Sequence, residues 1–228
     1  MLQELLAALG GAPTLRQAAE DFREMTAGAR DMVVTASALF WSPEPDPAAL
    51  EALEKQDERL NELERIIHRR ALAHLSGSEP ADVPYCLLIV SLVKDVERVG
   101  DHARNLAAIA TLVGRSSASL PDDELVHELR GFSRDVDELA RAAPQAYEGD
   151  DPERAKGLVE AGRARAKAFD ALLTRVAASP YDAATATQLT LAIRFLKRIQ
   201  GHFMNLLSSM LVPLDRLDQF DEPEPIET

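Results

Sequence analysis

Two acidic residues one helical turn apart are the first candidates for chemistry in this sequence. Glu97 and Asp101 are four positions apart, so on a helix their carboxylates share a face. A second polar stripe with helical spacing consists of Asp57, Asn61, Glu64 and His68. If the two helices run antiparallel, as a short connection implies, Asp57 and Asn61 lie beside the Glu97/Asp101 pair. Together they would offer a shallow cluster of oxygen donors, which suits hard or borderline cations.

The same acids have a simpler interpretation. Glu-x-x-x-Asp pairs are common on solvated helix faces, where Arg98 and Arg104 would form ordinary ion pairs with them. Because Glu97 and Asp101 fall off the apolar face of their helix, we expect any site here to be a surface patch. Spacing alone leaves both interpretations open.

The segment around the acidic pair has an echo one hundred residues later. Residues 97–106 read ERVGDHARNL, and residues 197–206 read KRIQGHFMNL. Arg, His, Asn and Leu keep their places, while the acids are replaced by Lys197 and Gly201. Because the histidine and the asparagine persist where the acids are gone, we expect structural roles for both of them.

Capping residues and prolines divide the rest of the chain into long helices. We predict six, at about 14–41, 46–76, 82–114, 121–143, 151–179 and 181–211. The first would begin with a capping box at Thr14, and the fourth would end before Pro144. The predicted fold is all-α, with two tandem three-helix bundles. Its units are an amphipathic N-terminal segment (1–13), a first repeat (14–115), a second, degenerate repeat (120–213) and an acidic flexible tail (214–228).

Composition excludes several functional classes. A net charge of −13 repels a phosphate backbone, so nucleic acid is not an expected partner. Cys86 is the only cysteine, which rules out an intrachain disulfide and predicts a core position in a reducing compartment. The longest apolar stretch, 83–93, is shorter than the roughly 20 residues of a membrane span, so we expect no direct membrane insertion. Motifs for a nucleophile or a phosphate-cradling loop are absent from the sequence.

Residues 97–105 closely resemble the signature of the PhoU family, regulators of phosphate uptake, and residues 57–64 resemble the second-helix pattern of that family. The resemblance extends over the six-helix layout and most of residues 14–213. It implies two tandem three-helix bundles that bind multinuclear metal clusters through acidic pairs. It also implies a regulatory role linking a phosphate transporter to a phosphate-sensing histidine kinase.

Transferred position by position, the resemblance implies divalent or iron-type metal ions at the first repeat, bound by Asp57, Asn61, Glu97 and Asp101. Asn61 departs from the acid that the family pattern expects. The second repeat departs further, because its corresponding positions hold Ala166, Asp170, Lys197 and Gly201. A second metal cluster is therefore not expected.

These observations predict a non-enzymatic regulator of phosphate transport or phosphate signalling. It would act in a bacterial or archaeal cytoplasm by contact with a phosphate transporter, a phosphate-sensing histidine kinase or both. A transporter partner would bring it to the inner membrane. Two other functions stay open at this point: a metal-dependent helical-bundle enzyme or metal-storage protein, and a metal-free helical adaptor. The oligomeric state is also open, with a homodimer as one option.

Overall fold

A computed structural model of the protein describes residues 13–77 and 83–212. These residues form six α helices: α1 (Pro13–Trp41), α2 (Pro47–Leu75), α3 (Val83–Val113), α4 (Glu124–Glu148), α5 (Pro152–Ala177) and α6 (Ala183–Ser208). One 3-10 turn, Ser117–Ser119, follows α3. The two ranges contain no strand, which confirms the all-α prediction. The predicted N-terminal segment, apart from Pro13, and the predicted acidic tail lie outside the described residues.

Aspartate side chains cap the N-termini of four helices. Each accepts a hydrogen bond from a backbone N–H in the first turn, and the four are Asp46, Asp123, Asp151 and Asp182. Such a cap typically stabilises a helix by about 1 kcal/mol. The predicted starts of α2 and α5 are thereby confirmed. The predicted capping box at Thr14 is wrong, because α1 already includes Pro13 and Thr14 therefore lies inside the helix.

Two predicted helix ends are also wrong. Helix α4 does not stop before Pro144 but continues to Glu148. A proline inside a helix costs about 3 kcal/mol, and the burial of Pro144 and Tyr147 against the core offsets this cost. Helix α6 ends at Ser208, three residues earlier than expected, and turns follow it.

The helices form two three-helix units that pack on each other. In the first unit α1, α2 and α3 contact one another, and in the second α4, α5 and α6 do so. Contacts between the units are made by α1 with α4 and by α3 with α6. The outer helices α2 and α5 thus cover a central layer of four helices.

The α3–α6 contact brings the two sequence echoes together. The predicted apolar face of α3 is buried at Ile89, Leu92, Val96, Val99, Ala103 and Leu106. The matching face of α6 is buried at Leu196, Ile199, Phe203 and Leu206. Cys86 is buried as well, which confirms its predicted core position. No helix within residues 13–77 and 83–212 is both long and apolar enough to cross a membrane.

A glycine allows the three helices of the first unit to approach closely. A Cβ atom on Gly100 would stand 2.8 Å from Cδ2 of Leu60 in α2 and 3.4 Å from Sδ of Met32 in α1. Gly201 in α6, which occupies the place of Asp101, is different, because a Cβ atom on it would have no neighbouring atom within 4 Å. The second unit instead has its close approach at Gly162 of α5, where an added Cβ atom would meet the Met204 side chain of α6.

Candidate functional site

The acidic residues predicted from the sequence meet on the facing surfaces of α2 and α3. We call Asp57, Glu97 and Asp101 the acid cluster. Asp57 and Glu97 are each only 8% exposed, and Asp101 is half-buried. The expectation of a surface patch is therefore wrong for two of the three, because packing of α2 against α3 covers carboxylates that lie beside the apolar face.

Arginine side chains already occupy much of the acid cluster. Arg104 bridges the two helices, with its Nε 3.4 Å from Oδ2 of Asp57 and its Nη2 3.2 Å from Oδ1 of Asp101. Arg98 lies on the other side of Asp101, with its Nη1 3.2 Å from Oδ2. These are the ion pairs of the simpler interpretation.

A lysine supplies the third cation. Nζ of Lys94 is 2.9 Å from Oε2 of Glu97 and 3.4 Å from Oε1 of Glu64, so it joins α2 to α3. Nε of Arg98 is a further 3.7 Å from the same Glu97 oxygen. Lys94, Arg98 and Arg104 thus surround the three carboxylates.

Burial dominates the electrostatics of Asp57. Burial is the largest effect raising the pKa of Asp57, and the neighbouring Asp101 and Glu97 raise it further. The Arg104 guanidinium opposes this rise. The three carboxylates are therefore close enough to interact, as the antiparallel arrangement predicted.

The fourth predicted ligand, Asn61, lies one helical turn after Asp57 on α2. It lines a shallow depression of about 430 Å³ together with Glu58, Glu64 and Arg65. The depression is the polar surface of α2 next to the Lys94–Glu64 ion pair.

The arrangement does not fit a multinuclear metal centre as it stands. Within residues 13–77 and 83–212, no group of three or more His, Cys, Asp or Glu side chains is arranged to hold a metal ion. The oxygen donors suit hard cations, but Lys94 and Arg104 would have to leave the carboxylates first. Metal binding at the first repeat remains a prediction.

In the second unit, the one acid at the positions that correspond to the predicted metal ligands forms an ion pair with a lysine of the same unit. Lys197, which stands where Glu97 stands in the first copy, lies with its Nζ 2.5 Å from Oδ1 of Asp170 on α5. Gln200 adds a buried hydrogen bond from its Nε2 to the Gly162 carbonyl oxygen. The lysine at this position ties α6 to α5.

Residues that recur in the two matching segments join the two units to each other. The imidazole rings of His102 and His202 stack with centroids 5.5 Å apart. Nδ1 of His202 is 2.8 Å from Oδ1 of Asp95, and Nδ2 of Asn205 donates to the same oxygen at 2.8 Å. These contacts confirm structural roles for His202 and Asn205. Burial, with smaller effects of His202 and Arg198, lowers the pKa of His102 to about 4.

Sequence reasoning missed Asp95, although it accepts two hydrogen bonds across the α3–α6 contact. The position equivalent to it in the second copy is Phe195, so a comparison of the two repeats carries no sign of it. Asp95 follows Lys94 at the end of an apolar stretch, and this pattern gives no sign of hydrogen bonds to another helix.

A cavity between α3 and α6 was also missed. It has a volume of about 280 Å³ and is lined by Arg98, His102, Arg194, Phe195, Arg198 and His202. We call it the basic cavity. Two of its pairs, Arg98 with Arg198 and His102 with His202, are echo positions, so the repeat itself could have indicated that they meet at a shared contact.

The protein is thus a helical protein of two repeats, and the buried carboxylates of its first repeat form ion pairs with its own lysine and arginine side chains. The PhoU domain family matches residues 22–110, which include all of α2 and the echo segment of α3. No curated protein sequence matches the chain.

Two solved structures share the fold. PhoU from Pseudomonas aeruginosa has a TM-score of 0.78 and 19% identity over 91% of this chain and 98% of that one. The phosphate transport system regulatory protein PhoU from Streptococcus pneumoniae has a TM-score of 0.74 and 16% identity over 90% and 95%. Residues 22–110 thus match the PhoU domain model, and the chain has the fold of these two PhoU structures; both findings agree with the resemblance to the PhoU family.

Proposed function

We propose that the protein is a non-enzymatic regulator of phosphate transport. It acts in the cytoplasm by contact with a phosphate transporter at the inner membrane, a phosphate-sensing histidine kinase or both. One observation carries this proposal: the PhoU domain lies in a chain that aligns over 90% of its length with a phosphate transport system regulatory protein.

The chemistry of the acid cluster supports binding over catalysis. Catalytic carboxylates need an accessible position and a pKa suited to proton transfer. Here Asp57 and Glu97 are buried, and Arg104 and Lys94 pair with them. A regulator needs only a shaped surface that binds two partner states with free energies differing by a few kcal/mol.

An exposed apolar pair marks a candidate partner surface. Leu72 near the end of α2 is 66% exposed, and Leu87 near the start of α3 is 52% exposed. The ion pair between Lys94 and Glu64 shows which residues of the two antiparallel helices lie at the same level. Seven to eight residues nearer the connection between the helices, Leu72 is therefore level with Leu87. Exposed apolar residues that lie together are typical of protein contact sites.

Affinity purification from native membranes tests the proposal. Tagged wild-type protein should retain subunits of a phosphate transporter or a phosphate-sensing histidine kinase, identified by mass spectrometry. The Leu72→Ser/Leu87→Ser variant should retain less of that partner. Leu112→Ser is the matched control, because Leu112 is 72% exposed at the far end of α3.

Recovery of neither partner by the wild-type protein would contradict the regulatory proposal. If the Leu112→Ser control loses as much of the partner as the Leu72→Ser/Leu87→Ser variant, the protein still binds a partner, but the surface at Leu72 and Leu87 is rejected as the contact. Melting curves of all variants should match the wild type, since exposed leucines contribute little to the core.

A further inference from the structure

The basic cavity lies where the two units meet and adjoins the acid cluster through Arg98. Three arginines, two histidines and one phenylalanine line it, and no carboxylate does. Such a concentration of cations is unexpected in a chain with a net charge of −13. Long basic side chains without counter-ions repel one another, so an arrangement like this favours binding of an anion.

Two of the arginines have no counter-ion in the part of the chain that the structure describes. Among residues 13–77 and 83–212, no carboxylate forms an ion pair with Arg194 or Arg198, and both side chains are exposed. Arg98 is shared, because its guanidinium also contacts Asp101 and Glu97. The cavity therefore has two free guanidinium groups and one that is positioned by neighbouring acids.

The histidines give the cavity a fixed polar wall. Asp95 holds His202 through the 2.8 Å contact with Nδ1, and the His202 ring stacks on His102. Nδ1 of His102 is buried and has no hydrogen-bond partner in the described part of the chain. A buried polar atom without a partner is uncommon in folded proteins.

The dimensions and the donors together indicate the class of ligand. At about 280 Å³ the cavity is slightly below the roughly 300–1,000 Å³ of pockets for drug-sized molecules, so it suits a small ligand. Guanidinium groups match the geometry of phosphate oxygens and bind them through paired hydrogen bonds. We propose that the basic cavity binds a phosphate-class oxyanion through Arg98, Arg194 and Arg198. This inference rests on the cavity and not on the proposed regulatory function.

Calorimetric titration of the full chain with inorganic phosphate at low ionic strength tests the proposal. The wild-type protein should bind phosphate saturably at one site, and added salt should weaken this binding. The Arg194→Gln/Arg198→Gln variant should lose about tenfold or more in affinity. Both side chains are exposed, so the variant should fold, and circular dichroism checks this.

A matched control separates a site from general electrostatics. The Arg16→Gln/Arg134→Gln variant removes the same two charges at exposed positions on α1 and α4, outside the cavity. We expect its phosphate affinity to stay within about twofold of wild type. Equal weakening in the two double variants would overturn the proposal, as would the absence of saturable wild-type binding up to about 10 mM phosphate.

Histidine signals locate the bound anion. In spectra of protein with nitrogen-labelled histidine at constant pH, phosphate should shift the ring signals of His102 and His202 and leave the other three histidines unchanged. A shift confined to the other histidines would overturn the assignment. Parallel titrations with adenosine monophosphate identify the source: tighter binding than inorganic phosphate indicates the phosphate group of a nucleotide, and weaker binding indicates the free ion.

Discussion

Gly100 in α3 and Gly201 in α6 should respond differently to the same substitution. Gly100→Ala and Gly201→Ala change neighbouring positions of the two matching segments in α3 and α6, since Gly201 occupies the place of Asp101. The structure surrounds them differently, because only Gly100 lies against another helix. Each variant is therefore the control for the other.

The expected magnitudes follow from two effects. Alanine favours a helix over glycine by about 1 kcal/mol at either position. At Gly100 the new Cβ atom would be 2.8 Å from Cδ2 of Leu60, which is fully buried and cannot easily move. Overpacking of this kind costs about 1–3 kcal/mol. Gly201→Ala should stabilise the protein by about 1 kcal/mol, and Gly100→Ala should be neutral or destabilise it by up to about 2 kcal/mol.

Urea denaturation followed by circular dichroism measures both free energies of unfolding. We expect Gly201→Ala to be the more stable variant by about 1–3 kcal/mol, with unchanged denaturant dependence. Equal stabilisation by both substitutions would show that α1, α2 and α3 do not require a close approach at Gly100. Destabilisation by Gly201→Ala would refute the open environment described for α6.

Three further changes test other contacts. Asp95→Asn replaces the charged acceptor of His202 and should destabilise the protein by about 1–2 kcal/mol in urea denaturation; no loss would argue against the α3–α6 hydrogen bonds. Burial raises the pKa of Asp137 from 3.8 to about 6, despite the hydrogen bond from Ser37. Between about pH 4 and pH 6 the folded state thus keeps a proton on Asp137 that the unfolded chain has released. The free energy of unfolding therefore falls as pH rises through this window, and the contribution of Asp137 is constant above it. The melting temperature of Asp137→Asn minus that of wild type should increase across this window, and a constant difference would contradict the assigned cause. Arg104→Gln should strengthen binding of Mn²⁺ in calorimetric titration, because it removes a cation that competes for the acid cluster; weaker binding would exclude this competition.

Local signals in the sequence were sufficient for most of the fold. Asp46 and Asp151 mark helix starts because an N-cap interacts only with its own first turn. The apolar faces of α3 and α6 follow from spacing alone. Pro144 was misjudged because the cost of a helical proline is local, whereas the burial that offsets it depends on the packed core.

The candidate site was only partly predictable. The meeting of Asp57 with Glu97 and Asp101 follows from helix spacing and an antiparallel connection. The partners of these acids do not, because Lys94, Arg98 and Arg104 have long side chains whose contacts depend on the final geometry. The repeat could have indicated that Arg98 meets Arg198, but the rest of the basic cavity could not be inferred, since it requires the second unit to place Arg194 and Phe195 against α3. Helical periodicity does not show which helices of one repeat pack against which helices of the other.

Phosphate accumulation in living cells tests the proposed regulatory function most directly. Phosphate uptake and a phosphate-starvation reporter would be measured in wild-type, deletion and complemented strains at high and low external phosphate. We expect deletion to change uptake or reporter output and complementation to restore it, because the partner loses the protein that biases its states. Wild-type values for both quantities in the deletion strain, at both phosphate concentrations, would contradict the regulatory function.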